Sequence, residues 1–310
     1  MLQLLSKYCF QPTKKYLLFV VDRLYRVMRS HFSNSKKDID NKAKPFVKWV
    51  GGKTQLLPEL RSRIPNNFSK YFEPFIGGGA LFFDYSPKRS TLIDINEELT
   101  NAYKVIKDRT DELIADLHQH IYEKDYYYQI RNVDRTSEYQ TWSDVRRASR
   151  LIYLNKSCFN GLYRVNSKGE FNTPMGKYKN PKIVDEINLR ACSQALAKAK
   201  IITGSFLEVE ALVTSNDFVY FDPPYAPLNA TSNFTGYSKQ GFDNQMQLDL
   251  RDLCDRLNQR GIRFMVSNSN APLILDLYRD YKIELVYAAR AINSKANKRG
   301  KIPEVIVTNY

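Results

Sequence analysis

The residues best placed to do chemistry are Asp222-Pro223-Pro224-Tyr225, which follow directly on the apolar run Asp217–Phe221. Two consecutive prolines fix φ and remove two backbone donors, leaving a stiff turn that presents carbonyl oxygens and one carboxylate. Such a turn accepts hydrogen bonds and donates few. The exocyclic amine of adenine is a poor nucleophile because its lone pair is delocalised into the ring. If the Asp222 carboxylate and the Pro223 carbonyl accept its two N–H bonds, the nitrogen can become tetrahedral and turn its lone pair toward an electrophilic methyl group. The Tyr225 ring offers a stacking surface for a base that has left its duplex. Taken alone, the tetrapeptide reads equally well as a strand-ending turn with a core aromatic.

Two glycine-rich segments could hold a ligand nearby. Glu73-Pro-Phe75-Ile-Gly77-Gly-Gly79 closes one apolar run, and glycines at a strand-to-helix turn let the backbone approach a bound molecule. Asp94 ends the next run and suits ribose hydroxyls, or else caps the helix that starts near Asn96. Lys48-Trp49-Val-Gly-Gly-Lys53-Thr54 is similar to a phosphate-binding loop, but Val47 stands where that motif needs glycine, so no ATP cradle is expected. Trp49 and Lys53 suit a small anionic ligand; a core tryptophan and a solvated lysine are the alternative.

These residues need a scaffold, and the chain can supply one. Its 310 residues are 43% apolar and 13% aromatic, which excludes a disordered chain. The net charge of +14 favours a polyanionic partner or a membrane surface. That excess is concentrated in two blocks: residues 1–44 carry ten Lys/Arg against three acids, and residues 141–182 carry nine against two. Cys9, Cys158, Cys192 and Cys254 lie far apart with no paired Cys/His spacing, which suggests a reducing compartment and no metal site. The apolar run Tyr16–Val21 is too short to span a membrane, and no cleavage site follows it, so a cytoplasmic location is expected.

Residues 1–44 read as a basic extension without a core, in which Met28 is an alternative start. From Pro45 onward, short β-branched or aromatic runs alternate with helical stretches, the pattern of an α/β layer fold. Strands are expected over Lys70–Phe75, Ser90–Asp94, Lys200–Thr203, Asp217–Phe221, Arg263–Ser267, Ile283–Tyr287 and Glu304–Thr308. A long insertion, residues 111–199, separates the second from the third and contains the second basic block. Within it, Leu151–Leu154 should give a helix an apolar face with Arg146, Arg147 and Arg150 outside. Leu162–Val165 and Glu170–Thr173 should form a β-hairpin about Gly169. Lys295, Lys298, Arg299 and Lys301 make a basic loop suited to phosphate contact.

In chain order, Lys48–Lys53, Glu73–Gly79, Leu92–Asn96 and Asp222–Tyr225 resemble the motif series of the α-group adenine-N6 DNA methyltransferases. The segment Leu154–Tyr178 is similar to the recognition segment of their GATC-specific, Dam-like branch, and Ala226–Tyr237 is similar to that branch too. The resemblance covers residues 45–310. It implies a Rossmann-like methyltransferase sheet, formed by residues 45–110 and 200–310, with residues 111–199 as an inserted, helical target-recognition domain. It further implies S-adenosylmethionine as methyl donor, bound by Trp49, Lys53, Phe75, Gly77, Gly79, Asp94 and Asp222. Asp222, Pro223, Pro224 and Tyr225 would hold the flipped adenine. Arg164 would read guanine, for which its bidentate fork suits O6 and N7. Leu162 and Pro174 would contact a later base, Phe159 and Asn160 would fill the space around the displaced adenine, and Lys48 and Tyr178 would help with the outer base. Gly204-Ser-Phe206 departs from the Gly-Asp-Phe of many relatives and leaves an acidic contact to the cofactor unassigned.

The function so implied is methyl transfer to N6 of adenine in double-stranded DNA at GATC, with a restriction endonuclease as a compatible genetic partner and no membrane. A cytosine-N4 or RNA methyltransferase, and a DNA-binding module without turnover, are the alternatives.

Overall fold

The computed structural model describes residues 42–228, 242–289 and 301–310, and only the backbone of residues 288, 289, 301 and 302. Residues 1–41 of the expected 1–44 extension, most of Ala226–Tyr237 and the basic loop up to residue 300 lie outside the described residues; Ala43 is buried in the core and Lys44 is bonded through its main chain to Asn188, so the folded part begins before Pro45, and Lys301 belongs to the last strand rather than a loop. Seven strands form one sheet: β1 (Tyr71–Glu73), β2 (Ser90–Asp94), β3 (Ala199–Thr203), β4 (Phe218–Phe221), β5 (Arg263–Ser269), β6 (Lys282–Ala289) and β7 (Lys301–Thr308). Their order is β3-β2-β1-β4-β5-β7-β6, and every pairing is parallel except the two that β7 makes. Each of the seven expected strands is present.

The ends differ for reasons of backbone chemistry. β1 stops at Glu73 because Pro74 has no N–H to continue a ladder. β7 begins at Lys301, three residues before the expected start. There it runs through Pro303, which pairs only with Tyr287 of β6, since β5 joins β7 from Glu304 onward. Proline is tolerated because that side of the strand has no ladder to donate to.

Both faces of the sheet are covered, which is why its inner strands read as unbroken apolar runs rather than alternating ones. Tyr71, Leu92, Phe218, Tyr220 and Met265 join one core, whereas their neighbours Phe72, Ile93, Val219, Phe221, Phe264 and Val266 join the other. The alternation follows the two-residue period of a strand.

Among the described residues ten α-helices accompany the strands: α1 (Leu57–Arg63), α2 (Ala80–Tyr85), α3 (Glu97–Asp108), α4 (Thr110–Leu117), α5 (Lys124–Asn132), α6 (Asp144–Ser157), α7 (Glu186–Leu196), α8 (Val209–Leu212), α9 (Asn244–Gln259) and α10 (Pro272–Leu277). Helices α3 to α7 all lie between β2 and β3. Asn96 caps α3 by accepting from Leu99 N, and α6 packs against α3 and α4. A separate tyrosine-rich cluster of Tyr127, Tyr153, Leu154, Cys158 and Phe171 supports the segment after α6.

One expectation for that segment needs correction. Arg146 is half exposed, but Arg150 is buried: its guanidinium donates to the Ile130 and Arg131 carbonyls and pairs with Asp134 at 2.7 Å. Arg147 is partly covered by its pairs with Glu97 and Glu98. The helix therefore uses two of its three arginines for tertiary pairing. The hairpin turns at Gly169 with φ +84° as expected, and its arms pair at Val165 and Phe171, with Asn172 N donating to Arg164 O and Asn166 N to Glu170 O on either side of that bridge. Side chains satisfy the groups of Phe171 that this pairing leaves free: Phe171 N donates to Asp134 Oδ2 and Phe171 O accepts from Arg135.

Asp134 thus joins helix α6 to the turned segment through a buried pair. Removing one partner strands the other's charge, so Arg150→Met is expected to lower unfolding free energy by about 3–5 kcal/mol in urea denaturation. A change within about 0.5 kcal/mol would show that the pair is not a structural tie.

Candidate functional site

In an open parallel sheet, ligands bind beyond the carboxyl ends of strands where the strand order reverses. Here the reversal falls between β1 and β4. The glycine turn 77–79 follows β1, Asp94 ends β2, and Asp222-Pro-Pro-Tyr225 follows β4. The three motifs thus converge on one sheet edge.

The Lys48–Lys53 loop closes the group. Lys53, only 6% exposed, sets its ammonium 2.8 Å from Asp222 Oδ1, 2.5 Å from Gly51 O and 4.4 Å from the centre of the Tyr225 ring. Among the sequence alternatives for Lys53, a solvated lysine is overturned, because the ion pair and two further contacts compensate its burial. Trp49 is half-buried and stacks on Tyr163 at 5.1 Å. A Cβ on Gly77, whose φ is +45°, would come 2.7 Å from the Trp49 ring, so this glycine is needed to admit the indole. Phe75 stacks on Phe206 at 5.2 Å beside the same strand ends.

Asp222 is desolvated, which pushes its carboxyl above the ordinary range, while Lys53 and Ser267 favour the charged form. Its Oδ1 accepts from Lys53 and from Ser267 Oγ at 3.0 Å. Among the described residues no donor reaches Oδ2 or the Pro223 carbonyl. Asp94, also raised by burial, accepts from Gly77 N at 3.0 Å and Asn96 N at 2.9 Å. It ties the glycine turn to β2, and the cap of α3 belongs to Asn96. Ser205 caps its own short helical turn in a capping box with Glu208.

As a donor set, the half-buried rings of Trp49 and Phe75 beside two carboxylates suit a molecule that combines a nucleobase with cationic groups. S-adenosylmethionine is such a molecule, so the residues present fit it.

The expected base-reading residues gather on the segment after α6. Phe159 is 53% exposed, and its N–H donates to the Pro174 carbonyl. Asn160 has the left-handed φ of +56°, unusual for a non-glycine residue. Leu162 is half-buried. Exposed Arg164 donates Nε to Asn172 Oδ1 at 2.6 Å. The Tyr178 hydroxyl donates to Cys158 O, with the Lys48 ammonium 5.8 Å from its ring.

Several functional partners were missed because each is remote in sequence from what it touches. Asn155, fully buried, donates Nδ2 to the carbonyls of Lys48 and Gly161 and accepts from Lys48 N, so one side chain joins the Lys53 loop to the base-reading segment. Glu304 accepts from the Tyr225 hydroxyl at 2.7 Å. Gln247, Ser267, Asn268 and Ser269 hold the turn after β4. Of these only Asn155 lay within a segment singled out by its motif.

Comparison with known proteins agrees with this arrangement. The family model of D12 class N6 adenine-specific DNA methyltransferases matches residues 49–292. The chain is 46% identical to the type II methyltransferase M1.LlaDCHI of Lactococcus lactis, over 86% of this chain and 95% of that one. It is 44% identical to the type II methyltransferase M.MjaIII of Methanocaldococcus jannaschii, over 86% and 99%. It is also 34% identical to the DNA adenine methylase of Escherichia coli K12, over 86% and 95%.

Beneath the site, buried Glu73 accepts from the Tyr71 hydroxyl at 2.7 Å. Burial pushes its carboxyl well above the usual value of 4.5; the Tyr71 bond opposes this and the Asp222 charge adds to it. A group that holds its proton more tightly when folded lends stability that is complete below its unfolded pKa and is lost as pH rises through the folded one. Glu73→Gln, neutral throughout, should therefore flatten the fall in unfolding free energy as pH rises above the ordinary value of 4.5. Urea denaturation across that range measures it, and a decline as steep as in the unsubstituted protein would refute the assignment.

Proposed function

The chain belongs to the D12 class N6 adenine-specific DNA methyltransferases, and from that premise we propose that it methylates adenine within GATC, in duplex DNA, after flipping the base into the turn that follows β4. S-adenosylmethionine is the methyl donor and supplies an electrophilic methyl group when bound. One observation carries the reading of the site. At the point where the strand order reverses, Asp222 Oδ2 and the Pro223 carbonyl are two adjacent acceptors with no protein donor among the described residues.

In this reading, the two acceptors take the two N–H bonds of the adenine amine and so release its lone pair. Tyr225 stacks on the displaced base, with its hydroxyl anchored to Glu304 so that the ring keeps its orientation. Trp49, Lys53, Phe75, Gly77, Gly79 and Asp94 surround the donor, Gly77 and Asp94 by holding the turn that Trp49 packs against. Residues 45–110 and 200–310 form the catalytic domain and 111–199 the recognition domain. Within the latter, Arg164 reads guanine, and Asn172 steadies the guanidinium by accepting from Nε and, through its carbonyl, from Nη2, which leaves Nη1 and the second Nη2 proton to face a base edge. Phe159, Asn160, Leu162, Pro174, Tyr178 and Lys48 complete the groove contacts, and the excess of Lys and Arg in 141–182 supplies attraction to phosphate. A restriction endonuclease as genetic partner belongs to the same proposal, its observable being protection of the methylated site from cleavage. Among the described residues no helix is long and apolar enough to cross a membrane.

Plasmid incubated with the protein and S-adenosylmethionine, then sequenced for N6-methyladenine, should carry the mark at GATC. A mark confined to an unrelated site would overturn the specificity. Asp222→Ala should lower turnover by roughly 10²-fold or more while DNA affinity stays within a few-fold. Turnover retained in that variant would show that the chemistry lies elsewhere.

A further inference from the structure

Of the two Asp222 carboxylate oxygens, Oδ1 has two donors and Oδ2 has none among the described residues. The two donors differ in kind. Lys53 carries a point charge on a flexible four-carbon stem with three equivalent protons, so it can follow the carboxylate through a rotation. Ser267 is fully buried on β5, with one proton on a one-carbon arm. Because that proton goes to Asp222, the 2.8 Å contact between Ser267 Oγ and the Tyr220 hydroxyl must run from tyrosine to serine. Burial pushes the Tyr220 hydroxyl well above its ordinary pKa, which keeps it a donor. The polarity of the chain Tyr220 to Ser267 to Asp222 is thereby determined.

The terminal torsion of an aspartate is broad and roughly two-fold, so a carboxylate held by a lysine alone exchanges its oxygens at little cost. A neighbouring relay holds the main chain of the same turn. Gln247 Nε2 donates to Pro224 O at 3.0 Å, Asn268 Nδ2 donates to Gln247 Oε1, and Asn268 Oδ1 accepts from Ala226 N. The carbonyl beside the needed one is thus occupied, and Pro223 O is left open.

We propose that Ser267, backed by Tyr220, is a positioning residue for methyl transfer: by engaging Asp222 Oδ1 it turns Oδ2 toward the substrate amine, in register with the Pro223 carbonyl. This rests on the reading of the turn given above. Ser267, remote in sequence on β5, and Tyr220, two residues before Asp222 on β4, thereby set the aim of a catalytic group that they do not themselves extend to the substrate.

The charged and titratable groups that face Asp222 are Lys53 from the loop before α1, Tyr71 and Glu73 of β1, Tyr220 of β4, and Tyr225 with Glu304 of β7 behind it. Ser267 adds an uncharged donor that favours the ionised carboxylate, so its loss moves the Asp222 titration to higher pH.

The test compares the unsubstituted protein with Ser267→Ala, Ser267→Thr and Tyr220→Phe. It reads steady-state methylation of a GATC duplex against pH, together with the carboxyl titration of ¹³C-labelled Asp222 in the ligand-free protein. Ser267→Ala should lower kcat about tenfold or more with KM for DNA within about twofold, and should raise both the acid limb and the Asp222 titration. Ser267→Thr should recover most of the loss, and Tyr220→Phe should give a smaller shift in the same direction. A Ser267→Ala variant with unchanged kcat and Asp222 titration overturns the proposal, as does a loss confined to KM. If that variant fails to fold, Tyr220→Phe decides by the same readouts: a shifted acid limb supports the role and an unshifted one refutes it. Absence of adenine methylation by the unsubstituted protein would sink the functional reading instead, and the ligand-free titration would still decide whether Ser267 controls Asp222.

Discussion

A carboxylate taken partly out of water at the end of a central strand must be compensated, and much of the site is arranged around that need. Asp222 is desolvated by its place beyond β4, and an uncompensated charge there would cost several kcal/mol. Lys53 answers it, but the lysine is itself buried and needs partners, which Gly51 O and the Tyr225 ring provide. Through this one pair, the loop before α1 is fastened to the turn after β4. The sheet alone does not bring those segments together.

The same logic extends to the side that would meet DNA. Asn155 reaches from α6 to the main chain of Lys48 and of Gly161, so the loop carrying Lys53 and the segment carrying Arg164 share a single buried amide. Trp49 stacked on Tyr163 adds an apolar contact across the same junction. A buried polar network fully satisfied in this way is rigid, because any displacement leaves a donor or acceptor unpaired. The Lys53 loop and the segment after α6 are therefore coupled through packed side chains.

Much of the fold was legible from local pattern. Buried strands such as Phe218–Phe221 announce themselves as apolar runs, and all seven were recognised. The points of difference are those where a side chain answers to a distant partner. Arg150 reads as the outer face of a helix, yet Asp134 draws it inside. The arms about Gly169 pair as read, and Asp134 and Arg135 satisfy the Phe171 N–H and carbonyl that the pairing leaves free. Of the site, the motif residues were legible because their types and order are unusual. Ser267, Asn268, Gln247 and Glu304 were not, since serine, asparagine, glutamine and glutamate are common and nothing local marks them.

Residue type and order alone determined the chemical vocabulary of this protein: a donor-poor turn carrying a carboxylate, glycines and aromatics fit for a nucleotide-like ligand, and a basic segment fit for DNA. The tertiary structure decided which oxygen of Asp222 is engaged, which carbonyl of the turn is left open, and which arginines face inward. Those outcomes depend on hydrogen-bond partners tens of residues away in sequence, and only the assembled sheet with its packed helices brings such partners within about three ångströms.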